Sequence, residues 1–96
     1  MKLTALWVGL VLLSLGGCAL NPPYVEMSYA EMSIEAATEA EADRYAPMLF
    51  QRAKDAYALA KHAMEERIYS KARKHAKEAS RLAEKAEEEA ALQERL

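Results

Sequence analysis

Alanine recurs through the second half of the chain at intervals that repeat every seven residues. Leu49, Ala53, Ala56, Ala60 and Ala63 step by four, three, four and three, and Ala72, Ala76, Ala79, Ala83, Ala86 and Ala90 repeat the stepping. This spacing lines small apolar side chains along one face of a helix and leaves the polar residues to the other faces. Between the stripes, Ala63 and Ala72 are nine residues apart, about half a turn out of phase at roughly 3.6 residues per turn. An unbroken helix would point the two stripes in opposite directions. A turn near Arg67-Ile68-Tyr69, with Ser70 as the cap of the next helix, lets them face one another. The pattern predicts a hairpin of helices at about residues 47–66 and 70–94, with one long rod as the alternative.

A further helix is expected before the hairpin. Ser28 with Glu31 forms a capping box, and Met27 and Met32 flank it as a hydrophobic staple, which starts a helix at about residue 29. It ends near residue 44, because Ala46 precedes Pro47 and is pushed out of helical geometry, whereas Pro47 fits the first turn of the following helix. Upstream, Asn21-Pro22-Pro23 reads as a stiff extended tether over residues 18–27. The expected fold is all-α: an alanine-rich antiparallel helical hairpin or small three-helix bundle, occupying residues 28–96.

Alanine limits what this contact face can contribute. Each side chain offers a single methyl, so larger neighbours such as Met48, Leu49, Phe50, Tyr57, Leu59, Met64, Ile68, Tyr69 and Leu82 are expected to supply the apolar burial. Helix propensity from Ala, Glu, Lys and Arg adds to it. The same stripe, centred on Ala53, Ala56, Ala60, Ala76, Ala79 and Ala83, is the expected contact surface that the module offers to a second copy of itself or to another protein.

The start of the chain has a different pattern. Residues 3–15 form an apolar run after Lys2, too short for the roughly 20 apolar residues that span a bilayer, and they end in Leu15-Gly16-Gly17-Cys18. A positive start, a short apolar centre and small residues before the cut make a secretory signal. Cys18 is the chain's single cysteine. The bracket Leu15, Gly16, Gly17, Cys18 resembles the lipobox of bacterial lipoproteins. That resemblance implies cleavage between Gly17 and Cys18, a diacylglyceryl thioether on Cys18, and N-acylation of the new terminus. Ala19 stands where an aspartate commonly signals inner-membrane retention in that class, so the resemblance implies the outer membrane, periplasmic face. Several acyl chains on one residue make such anchoring stable.

Removal of residues 1–17 takes away Lys2 and leaves 12 basic against 15 acidic side chains, a balance that speaks against nucleic-acid binding. The charges are segregated. Glu31, Glu35, Glu39, Glu41 and Asp43 crowd the first helix, Lys71, Arg73, Lys74 and Lys77 open the last, and Glu84, Glu87, Glu88, Glu89 and Glu94 close it. These blocks either pair between helices or between copies, or remain solvated; the basic block is also a candidate site for peptidoglycan or anionic envelope lipid.

No constellation for catalysis is legible. His62 and His75 fall thirteen residues apart on different expected helices and lack a His-Glu-x-x-His spacing. Ser70 and Ser80 have no recognisable base beside them, and there is no glycine-rich phosphate loop. Neither enzymatic activity nor a metal, cofactor or small-molecule substrate is expected, apart from the acyl chains on Cys18.

Ala36-Ala37, Tyr45-Ala46-Pro47, Ala53-Lys54, Ala60, Ala63, Tyr69, Ala72, Ala76 and Ala79 together resemble the DUF4398 lipoprotein-type domain, an alanine-rich helical module of bacterial envelopes. The match covers most of residues 28–90. Members of that family often carry a Gly-Asp or similar turn before the tyrosine that corresponds to Tyr69; Arg67-Ile68 stands here. The resemblance implies a location and a fold, with no biochemical activity attached. The expectation is a lipid-anchored, non-enzymatic helical module that contacts itself or another envelope protein.

Overall fold

A computed structural model describes residues 21–96, and the signal segment, Gly17 and Cys18 lie outside the described residues. Four helices follow: α1 (Tyr24–Glu39), the single turn α2 (Ala42–Tyr45), α3 (Pro47–Glu65) and α4 (Tyr69–Glu94). Among the described residues there are no strands. The fold is an up-down-up helical bundle. α4 packs along both α1 and α3, which touch one another far less.

The hairpin is formed as the stripe phase requires. Ala53, Ala60, Ala76, Ala79 and Ala83 are fully buried and Ala56 nearly so, with the two stripes turned inward on the α3–α4 seam. The reversal between them is compact. Arg67 N–H donates to the Met64 carbonyl at 3.1 Å and Ile68 N–H to the Ala63 carbonyl at 2.9 Å, the paired bonds of a Schellman ending. Such an ending needs a left-handed residue, and Arg67 takes it with φ 61°. Ser70 lies within the first turn of α4 instead of capping it; Ile68 holds the N-cap position and its carbonyl accepts from Ala72 N–H at 3.0 Å.

Two boundaries differ from the sequence expectation. α1 begins at Tyr24, so Ser28 is an exposed residue inside the helix and the capping box is not used. The cause lies upstream: Pro23 is fully buried, its carbonyl accepts from Met27 N–H at 3.0 Å, and the segment expected as tether winds into helix from Tyr24 onward. At the other end, helix does not run through to residue 44. It breaks at Ala40 and Glu41, where Glu41 adopts φ 60°, and resumes as α2. Without the break, Ala42 would sit about a third of a turn off the face that buries Ala30. With it, Ala42 is fully buried and Ala46 nearly so, and Ala46 leaves helical geometry (φ −140°, ψ 56°) ahead of Pro47 as the pre-proline rule requires.

α1 brings its own small-residue row, Ala30, Ser33 and Ala37, to the seam with α4. Each buried serine is satisfied within its own helix: Ser33 Oγ donates to the Tyr29 carbonyl at 2.8 Å and Ser80 Oγ to the Ala76 carbonyl at 3.1 Å. The close seam therefore needs no water. Of the larger residues expected to add burial, Phe50 and Leu82 do so, while Leu49, Tyr57, Met64 and Tyr69 are half-buried and Met48, Leu59 and Ile68 are exposed.

Ala79→Leu is expected to overpack the seam and cost about 1–3 kcal/mol, whereas Ala58→Leu, on the exposed face of α3, leaves stability within about 0.5 kcal/mol. Thermal unfolding followed by circular dichroism separates the two, since about 1 kcal/mol moves the midpoint of a domain this small by roughly 4–8 °C. At the turn, Arg67→Gly should stabilise by up to about 1 kcal/mol by relieving the left-handed backbone, and Arg67→Val should destabilise by about 1–3 kcal/mol. Equal denaturation midpoints for the two turn variants would contradict the assigned conformation.

Candidate functional site

Because α3 and α4 spend their alanine stripes on one another, Ala53, Ala56, Ala60, Ala76, Ala79 and Ala83 are not available to a partner. What the bundle leaves open lies elsewhere. Along the outer face of α1, Val25, Tyr29 and Met32 are 79%, 52% and 65% exposed. Val25 and Tyr29 border a groove of about 400 Å³ between α1 and α4, formed by Val25, Glu26 and Tyr29 on one side and by Lys77, Ser80, Arg81 and Glu84 on the other, and Met32 lines a neighbouring depression with Tyr24 and Ser28. The signal for this surface was present in the sequence as apolar residues at positions 25, 29 and 32, one helical turn apart, but the capping-box reading placed two of these positions outside or at the very edge of the helix.

The groove has a polar clasp. Tyr29 Oη donates to Glu84 Oε1 and joins the two helices. A phenol that donates to a carboxylate is held in its neutral form, so the hydrogen bond to Glu84, and then the negative charge of Glu84, raises the Tyr29 pKa above the usual 10.0. Tyr57 is also raised, first by burial and then by the charge of Glu31. Its ring is covered by Lys61 Nζ at 4.9 Å, and one heptad earlier Lys54 Nζ covers Phe50 at 5.2 Å.

The basic block at the start of α4 is divided in its roles. Arg73 is committed to the fold: its Nε lies 3.4 Å from Glu26 Oε1, and a terminal nitrogen donates to the Asn21 carbonyl at 3.4 Å. Lys71, Lys74 and Lys77 are exposed, and no ion pair involves them among the described residues. The acidic row of α1 does not reach this block. α1 and α4 run parallel, so residues 31–43 lie beside the acidic tail of α4, and Glu26–Arg73 is the one ion pair that joins the two helices among the described residues.

The histidines are separate. His62 is exposed, with Nε2 2.6 Å from Glu66 and Nδ1 3.9 Å from Glu65. His75 lies on α4 with its Nδ1 buried and without a hydrogen-bond partner, Glu78 standing 3.8 Å away. Among the described residues no three His, Cys, Asp or Glu side chains converge as a metal site would, and no helix is long and apolar enough to cross a membrane.

The molecule is thus a small alanine-seamed helical bundle whose distinctive features are surfaces. Residues 25–95 match the family described as Domain of unknown function (DUF4398), and the chain belongs to that family. No curated protein and no solved structure matches it.

Tyr29 and Tyr57 should titrate above the ordinary phenol value of 10.0 when pH is raised and phenolate absorbance is followed. Since both folded pKa values are raised, their contribution to stability is complete below about pH 10 and falls as pH climbs through the raised values. Tyr29→Phe and Tyr57→Phe should each remove one late-titrating group; an unchanged late phase in either variant would contradict the assignment.

Proposed function

We propose that this protein is a lipid-anchored module of the bacterial envelope, held through acylated Cys18 at the periplasmic face of the outer membrane, and that it acts without catalysis by presenting a helical surface to another envelope protein or to a second copy of itself. The observation that carries the interaction role is the open α1–α4 groove beside Val25, Tyr29 and Met32. Three large side chains exposed in register on one helix are a contact surface in search of cover, whereas scattered single ones would need no explanation. The lipobox resemblance of Leu15-Gly16-Gly17-Cys18 supports the envelope location.

The groove also suits a helical ligand chemically. Its floor is apolar, and its α4 rim carries the cations Lys77 and Arg81 before Glu84, which Tyr29 already binds, so a partner helix with an apolar row flanked by acidic side chains can satisfy both.

Cys18→Ser is expected to move the protein from the membrane fraction to the soluble fraction of cells. In the lipidated protein, a photo-cross-linking residue at position 25 or 32 should give one discrete product in intact cells, identified by mass spectrometry, while the same residue at Gln51, exposed on α3, should give none. A Cys18→Ser protein that stays in the membrane fraction sinks the anchor; equal products from all three positions sink the groove.

A further inference from the structure

The long helices α1, α3 and α4 bring one particular set of side chains to the end of the bundle at which α1 begins. α1 and α4 run parallel, so the start of α1, the start of α4 and the α3–α4 turn share that end, and Arg73 ties them by reaching both Glu26 and the Asn21 carbonyl. Lys71 and Lys74 flank Arg73 on α4 and so stand at the level of Asn21. Tyr24 is 66% exposed in the first turn of α1, and Ile68 is 42% exposed at the turn, beside exposed Arg67. Glu65 and Glu66 of the same turn stand beside His62, and the cations Arg67, Lys71 and Lys74, unpaired among the described residues, outnumber these two carboxylates at this end.

The tether is short because its residues belong to the fold. Pro23 is fully buried and Asn21 is bound by Arg73, which leaves three residue steps between Cys18 and Asn21, at most about 11 Å of chain. That reach is close to the Debye length of about 8–10 Å at ordinary ionic strength. Lysines held at this height feel an anionic headgroup layer directly. Tyrosine adds the preference of an amphipathic ring for the boundary between headgroup and water.

We propose that the end bearing Tyr24, Arg67, Ile68, Lys71 and Lys74 rests on the anionic phospholipid surface that carries the anchor, so that the bundle stands on the membrane with its acidic end outward. This rests on the reading of Cys18 as lipidated. Anchoring and apposition are distinct properties: the acyl chains hold the protein to any bilayer, whereas the basic end fixes which way the bundle points. The α1–α4 groove, running up the side, is then presented laterally.

The sequence provides a clean probe, because Trp7 is its single tryptophan and belongs to the segment expected to be cleaved. The mature lipidated protein would carry Tyr24→Trp or, at the opposite end, Leu92→Trp; both positions are exposed. Each is reconstituted in vesicles of phosphatidylethanolamine with brominated phosphatidylglycerol, and flotation and the intact mass are read on the same samples. The expected result is several-fold stronger quenching of the tryptophan at position 24 than of that at position 92, with a marked loss at position 24 when Lys71→Glu and Lys74→Glu are added or salt is raised. Equal quenching at both positions, or quenching at 24 that ignores both the lysine variants and salt, in protein that floats and carries the acyl mass, overturns the apposition and leaves the anchor standing. An unmodified Cys18 mass without flotation overturns the anchor, and the apposition with it.

Discussion

Everything in this bundle depends on how closely α4 is approached from two sides. Its neighbours meet it through alanine and serine, and small side chains let helix axes draw toward the lower end of the usual range of about 8–10 Å. Close approach makes the seam intolerant of volume and leaves it nothing to offer outside the molecule. The apolar residues too large for the seam are consequently displaced to its edges and outer faces, where Val25, Tyr29, Met32 and Met48 remain exposed. The surfaces proposed for contact thus follow from the way the core is packed.

A second constraint comes from backbone chemistry. All three glycines precede Ala19, so no glycine is available to the described fold. Its two left-handed positions are taken by Glu41 and Arg67, each at a point where a helix must stop and the chain must reverse or re-aim. Ordinary residues hold such conformations only when the surroundings fix them. Burial of Ala42 does this after Glu41, and the paired bonds to Ala63 and Met64 do it around Arg67.

The hairpin was legible from the sequence because the nine-residue offset between stripes has one simple solution, a reversal, and alanine spacing encodes the phase directly. Pro47 was legible for a similar reason, since its ring dictates both its own geometry and that of Ala46. The start of α1 was not, because Ser28 and Glu31 present a sound local capping signal that is overridden by a tertiary fact, the burial of Pro23 and the pairing of Glu26 with Arg73. The α2 corner escaped notice for want of any breaker at Ala40-Glu41. Likewise, the charge blocks could be seen, but pairing between them depends on helix direction, and the parallel run of α1 and α4 keeps most of them apart. The alanine face was expected to meet a second copy or another protein, yet α3 and α4 bury it against one another, a closure that spacing along the chain does not disclose.

Phe50, Leu82 and Pro23 are the larger side chains that this core encloses, with Met27, Ile34, Leu49 and Tyr57 half-buried against it, and most of the remaining interior is alanine methyl groups. Unfolding therefore exposes little additional apolar area per residue to water, and the heat-capacity increment that such exposure produces is correspondingly small. A small increment flattens the curve of stability against temperature. Stability on such a curve changes slowly with temperature on either side of its maximum, so cooling costs this fold less than it costs a domain whose core is built of large side chains.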